Sequence, residues 1–264
     1  MSDRSAWIIV LLLITVTGCQ GITEITGPPR TETPTAERVA APGIANDGTV
    51  DPSQVVDAHE TSLTNRSYTL RERLVVTYAN GSKRGVRTTV QRIGPQKERF
   101  LYEMNQTGEF PWSVPPYPDM EAWSDGNRTY VRLIQYDEVE YSVTKADRAP
   151  IRSNIFDTPF IIRRYLSAVN RTTVKPTTKD GWQSYEVSWN ATNSSAGFSI
   201  RMLVNSFGLI YRFEVAYAVN SAQWDGKMSR EFWITDIGET TFNRPDWIAA
   251  ARNASSTGTD GDRQ

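Results

Sequence analysis

The chain has 264 residues and a net charge of −1, and no basic patch or stripe stands out in it, which argues against a nucleic-acid partner. Its single cysteine, Cys19, excludes an internal disulfide, and the length is sufficient to bury a core instead. Eight Trp and eleven Tyr are a heavy aromatic load, which suits a large apolar core or a pocket wall.

The N-terminus reads as an address. Residues 1–6 are polar with one basic residue, Arg4, and an apolar run from Trp7 to Val16 follows. A membrane-spanning helix needs about 20 apolar residues, so this run is too short for a stable span, and its flanks are those of a secretory signal peptide. Val16-Thr17-Gly18-Cys19 resembles the lipobox of prokaryotic lipoproteins: a branched residue, two small ones, then cysteine. The resemblance implies a signal peptide over 1–18, cleavage before Cys19, and a diacylglycerol on its thiol. The membrane would then be a partner through that lipid, with the protein on the extracytoplasmic face; two acyl chains hold where one would not. Asp3 offsets Arg4, and no Arg-Arg pair is present, which departs from the usual basic start. The alternatives are an ordinary signal peptide with a chance cysteine, or an uncleaved anchor.

Residues 19–50 carry that cysteine into a stretch rich in Thr, Pro, Gly and Ala without apolar periodicity, which reads as a disordered tether. Its r.m.s. span is about 30 Å. Asp51-Pro52 then opens a helix, with Asp as N-cap and Pro at the first helical position; Val55, Val56, His59 and Leu63 share its apolar side.

From Tyr68 the period drops to two. Tyr68, Leu70, Leu74, Val76 and Tyr78 share one face, which Glu72 interrupts; Arg71, Arg73 and Thr77 share the other. Asn80-Gly81 marks a hairpin, and Val86, Thr88 and Val90 are read as the matching apolar face of the return strand, opposite Arg87, Thr89 and Gln91. Phe100, Tyr102 and Met104 alternate next. Met120–Trp123 and Tyr130–Tyr136 flank a second hairpin signal at Asp125-Gly126-Asn127, and Val139, Tyr141 and Val143 form a sixth strand. Thr158-Pro159 starts an amphipathic helix over Phe160–Val169. Five strands follow, around Thr172–Val174, Tyr185–Trp189, Phe198–Val204, Leu209–Val219 and Met228–Ile237, the last of uncertain phase because Arg230 and Glu231 point to opposite faces. Pro245–Arg252 reads as a short helix.

Clean alternation means antiparallel sheet with one face solvated. The expected fold class is mainly β (α+β): a strongly curved antiparallel sheet of about eleven strands, a half-open β-barrel, wrapping two or three helices. It forms one domain over 51–252, with a disordered tail over 253–264. This order of elements behind a lipobox and tether, with the Ser67–Tyr78 opening strand, resembles the LolA/LolB carriers and the LppX/LprG lipoproteins. The resemblance implies a half-open barrel closed by helices over an apolar cavity for acyl chains, and a lipid or lipoprotein ligand. The anchor, sequons and Thr-rich tether also resemble lipoproteins of salt-loving archaea, although the near-neutral charge departs from their acidic habit.

The expected pocket walls are Leu74, Val76, Val90, Phe100, Tyr102, Phe198, Ile200, Met202, Phe213 and Val215. The loop Gly108–Pro118 sets Phe110, Trp112, Val114 and Tyr117 among four prolines, as a rim or lid, as a docking edge, or folded back onto the core. Arg163-Arg164 offers a headgroup contact or merely an exposed helix face. Eight Asn-x-Ser/Thr sites (Asn65, Asn80, Asn105, Asn127, Asn170, Asn190, Asn193 and Asn253) suggest N-glycosylation, or the co-occurrence of turn formers.

Enzymatic signals are poor. His59, the only histidine, lies on an apolar helix face and reads as a core residue; no G-x-S-x-G and no phosphate-binding glycine loop is present. One histidine and one lipidated cysteine cannot build a Cys/His metal site. Asp119, Glu121, Asp125, Asp137, Glu138 and Glu140 gather around two hairpins, as a solvated turn or a calcium site. The expectation is a non-enzymatic, cofactor-free envelope lipoprotein that binds an apolar ligand, or an interaction or sensor protein of the same fold with a filled interior. Its oligomeric state is not legible.

Overall fold

A computed structural model describes residues 39–110, 119–136, 138–149, 151, 157–169, 171–191, 197–221 and 224–257. Cys19, Trp112, Val114, Tyr117, Asp137, Asn170 and Asn193 lie outside the described residues.

The ordered chain begins earlier than the composition suggests. β1 (Val39–Ala41) and β2 (Ile44–Ala45) pair antiparallel, and Ala40, Ala41 and Ile44 are buried. This corrects the expected tether, whose last dozen residues belong to the folded body. The segment is clamped to residues 124 positions farther along the chain: Arg171 Nε donates to the Asp47 carbonyl at 2.9 Å, and Thr172 N–H donates to the Gly48 carbonyl at 2.8 Å. Gly48 has φ +91°, and a Cβ there would stand 1.9 Å from the Thr172 carbonyl oxygen. Small residues without periodicity can pack this closely, so their burial leaves no pattern to read.

Asp51 caps α1 (Pro52–Leu63): its Oδ1 accepts from the backbone N–H groups of Ser53 and Gln54 at 2.9 and 3.1 Å. Val55, Val56, His59 and Leu63 are its buried residues, as their spacing requires.

Eleven strands form one antiparallel sheet. Running outward from the middle are β3 (Tyr68–Tyr78), β4 (Lys83–Ile93), β5 (Arg99–Gly108), β6 (Asp119–Asp125), β7 (Arg128–Gln135) and β8 (Glu138–Lys145). After α2 (Thr158–Leu166) the chain restarts at the opposite edge with β9 (Thr173–Lys179), then returns through β10 (Trp182–Asn190), β11 (Ser199–Asn205), β12 (Ile210–Ser221) and β13 (Trp224–Thr235). β13 pairs with β3 from Thr69↔Thr235 to Tyr78↔Gly226, joining the two meanders at the centre. β8 and β9 have a strand neighbour on one side only among the described residues, so the sheet stays open. Pro176 suits the β9 edge, because it has no N–H to give a further strand. The first hairpin turns where Asn80-Gly81 requires: Gly81 has φ +83°, and Asn80 Oδ1 accepts from the Ser82 N–H at 2.9 Å.

One face of this sheet receives α1 and α2, which also pack on each other. Val55, Val56, Ile162 and Leu166 share a single core cluster with Phe100 and Tyr102 of β5, Ala122 of β6, and Tyr185 and Val187 of β10. A sheet of this width bends strongly to bring strands from both halves onto the same two helices. α3 (Ile248–Thr257) packs instead on the opposite, convex face, where Ile248 and Ala251 meet Trp123 and Tyr130. Arg252 Nε donates to the Tyr130 hydroxyl there at 3.2 Å. Helical structure therefore continues past residue 252, correcting the start of the expected tail.

Pairing also corrects the face assigned to β4. Leu74 stands opposite Arg87, Glu72 opposite Thr89 and Leu70 opposite Gln91, so Arg87, Thr89 and Gln91 point to the concave side. Val90 pairs with Arg71 on the convex side. Arg230 lies on the concave side, opposite Leu74, and Glu231 on the convex side.

Candidate functional site

The concave face has two unlike halves. Over β9–β13 it is filled. The Phe213 and Phe232 rings stack at 5.4 Å; Tyr165 of α2 lies 6.0 to 6.4 Å from Phe198, Phe213 and Tyr217; and Trp189 meets Phe198 edge-on at 5.2 Å. Ile200, Met202, Phe213 and Val215 are buried within this packing. Phe198 is partly buried against it. Leu74 and Val76 are covered by Phe110 and Met228. Phe110 is 3% exposed, so this residue of the suspected rim is folded back onto the sheet.

Over β3–β6 the same face opens into a cavity of about 300 Å³ beneath the N-terminal turn of α2. Its floor is charged. Arg230 Nε donates to Glu72 Oε1 at 2.9 Å, and an Arg87 terminal nitrogen lies 3.8 Å from the same oxygen. The three side chains are 19%, 12% and 21% exposed, in the order Arg230, Glu72, Arg87. Burial works against the Arg230 charge, but Glu72 together with Tyr165 and Tyr217 outweighs it and holds the guanidinium above its usual pKa. Asp157, at the start of α2, faces the same space; burial and Glu72 raise its carboxyl, and Arg230 only partly opposes them. Farther along β4, Gln91 is 3% exposed, and its Oε1 has no hydrogen-bond partner among the described residues. Tyr102, Met104, Met120 and Ile161 supply the less polar wall. Burial raises the Tyr102 hydroxyl above its ordinary pKa.

Of the ten expected walls, only Tyr102 lines this cavity. The others are core, apart from Val90, which faces the wrong way. Glu72, Arg87, Gln91 and Arg230 were missed, and the signal was faint. Glu72 interrupts an apolar strand face, while Arg87, Thr89 and Gln91 read as a solvent face when β4 is taken alone.

A family model, the family of unknown function DUF7537, matches residues 4–251. The chain belongs to DUF7537. A comparison with curated proteins finds no match. Among solved structures, this DUF7537 chain is similar to LolA superfamily protein NE2245 from Nitrosomonas europaea, with 8% identity, 76% of this chain and 97% of that one covered, and a TM-score of 0.28. It is also similar to LprF from Mycobacterium bovis, at 12% identity over 74% and 96% of the two chains with a TM-score of 0.37. A third likeness is to the Pseudomonas aeruginosa MucA/MucB complex, at 12% identity over 75% and 59%, with a TM-score of 0.30. Superpositions this loose leave the site to be read from the DUF7537 chain itself.

Several other candidate residues have structural roles. His59 is buried, and its Nδ1 accepts from the Ile210 N–H at 3.2 Å; burial, then the nearby Lys97 charge, lowers its pKa to about 4. Asp119 accepts from the Gln106 N–H at 2.9 Å, Glu121 pairs with Arg132 at 3.5 Å, and Asp125 closes its hairpin through the N–H groups of Asn127 and Arg128. Among the described residues no group of three or more His, Cys, Asp or Glu could hold a metal ion. Arg163 pairs with Asp57 of α1 at 3.5 Å, and Arg164 is exposed. Asn65, Asn80, Asn105, Asn127, Asn190 and Asn253 are all exposed. No helix of the described residues is long and apolar enough to cross a membrane.

Proposed function

We propose that this DUF7537 protein is a lipid-anchored extracytoplasmic binding protein without enzymatic activity, which takes a small amphiphile into the cavity under α2. The single observation behind this reading is the cavity of about 300 Å³ on the concave face, polar on its floor and lined by Met104, Met120 and Ile161 elsewhere. That size stands at the lower end of ligand sites and has room for about ten waters. It suits a short chain with a headgroup. The resemblance of Val16-Thr17-Gly18-Cys19 to a lipobox supports the anchor.

The packed aromatic half favours a second reading, an envelope interaction or sensor protein that carries nothing. Native mass spectrometry of the full chain, released from its own membranes in a neutral detergent, separates the two. The binding reading expects an amphiphile adduct that is retained or restored on addition. If no amphiphile is carried and none binds, it fails. The same spectrum reads the anchor as a diacylglycerol mass on Cys19 that Cys19→Ala removes.

A further inference from the structure

We propose that the cavity takes an amphiphilic anion, a carboxylate or phosphate group on a short apolar chain, with its anionic oxygens on Arg87. The inference rests on the binding-protein reading of this site and adds the ligand's charge and orientation.

Two guanidiniums share one carboxylate on the cavity floor. Arg230 takes the hydrogen bond to Glu72 at 2.9 Å, whereas Arg87 stands 3.8 Å away, beyond hydrogen-bond reach. A guanidinium has five N–H donors and cannot shed its proton, and among the described residues none of Arg87's is engaged in a hydrogen bond. The side chain is nonetheless largely withdrawn from water, at 21% exposed. Glu72 and Asp157 balance the two guanidiniums in number, but a largely buried guanidinium is costly unless an acceptor also meets its N–H groups, and Arg87 has none within hydrogen-bond reach among the described residues. The carboxylate it faces, Glu72, already accepts the hydrogen bond from Arg230. On the same face its strand neighbours include Leu74, an aliphatic side chain that would also serve in a packed core.

The rest of the cavity sets the shape of the ligand. Arg87, Thr89 and Gln91 follow one another along the floor with a spacing of about 7 Å, set by the strand repeat. Gln91 ends this line with a buried acceptor that lacks a donor. Met104, Met120 and Ile161 face the middle, and methionine adapts to varied chains. A ligand with its anion at Arg87 and its chain along β4 would give that guanidinium its acceptor and bury its own methylenes; a hydroxyl or amide farther along would find Gln91. A detached small anion would leave the apolar wall unfilled.

The test is native mass spectrometry of the full chain in a neutral maltoside detergent, titrated with decyl phosphate, decanoate, decanol, inorganic phosphate or acetate. The two amphiphilic anions are expected to bind once per chain, decanol at least about tenfold more weakly, and the free anions not measurably. Arg87→Met should weaken decyl phosphate by about 10- to 100-fold, while Arg87→Lys keeps most of the binding. Arg212→Met, on the convex face where Arg212 pairs with Glu214 and Glu231, should change nothing. A thermal melt checks that each variant is folded. Decanol binding as well as the anions, inorganic phosphate binding as well as decyl phosphate, or Arg87→Met binding unchanged would each overturn the anion assignment while leaving a binding protein. If no amphiphile of any charge binds, the binding reading falls with it.

Discussion

Arg230 Nε and Glu72 Oε1 meet at 2.9 Å across 158 residues of sequence, on the two central strands that join the halves of the sheet. Their strands pair through Arg230↔Leu74 and Phe232↔Glu72, so the two side chains are diagonal neighbours on the concave face. Glu72→Leu would leave two guanidiniums facing each other in a site mostly closed to water. It is expected to destabilise the protein by about 3–5 kcal/mol, while the double variant Glu72→Leu/Arg230→Met loses clearly less than the sum of the two single losses. Urea unfolding of the four proteins measures the coupling. Strict additivity would mean that the pair is not coupled.

Asp157 gives the cavity a pH dependence. It shares the space with Glu72, Arg87, Arg230 and the Tyr102 hydroxyl, and its carboxyl is raised by burial and by Glu72. As pH falls from neutral towards the carboxylate range, Asp157 takes up a proton and the cavity becomes more positive. A permanent anion such as decyl sulfate should then bind more tightly, and Asp157→Asn should flatten part of that rise. The comparison needs affinities for both proteins at several pH values; identical slopes would dismiss the role of Asp157.

His59 predicts an acid limit to stability. Its pKa is about 4 in the fold against 6.5 for the free side chain, so the unfolded chain binds the extra proton between those values. Stability from this residue is complete above about pH 6.5 and lost as pH falls towards 4, by about 3 kcal/mol in all. His59→Asn keeps an acceptor for the Ile210 N–H but cannot titrate. Its stability should fall less steeply across this window, as denaturant midpoints at stepped pH would show.

The hairpin ahead of α1 should behave as core. Ile44 is 0% exposed, so Ile44→Ala is expected to cost about 2–5 kcal/mol. Gly48→Ala forces a side chain against the Thr172 carbonyl from a left-handed backbone and should cost a similar amount. Thermal melts of both variants decide this, and unchanged melting temperatures would mean that the segment is dispensable.

Much of the fold was legible, for a local reason. Alternation along one strand needs no partner, so all eleven strands, the cap at Asp51, and the Asn80-Gly81 and Asp125-Gly126 turns are visible in the chain alone. The face of β4 was not. Val86, Thr88 and Val90 look as apolar as Arg87, Thr89 and Gln91 look polar, and only the register with β3 turns the polar set inward. The N-terminal hairpin was hidden for a related reason, since Ala and Gly bury without periodicity and their contacts lie with Thr172.

By itself the sequence determined a one-faced antiparallel sheet with two helices to cover it, because periodicity and capping are properties of neighbours along the chain. Only the tertiary structure decided that the concave face is half aromatic core and half charged cavity. That division depends on register between strands far apart in sequence, which brings Glu72, Arg87 and Arg230 to one point and leaves Phe213, Phe232 and Tyr165 to fill the other side.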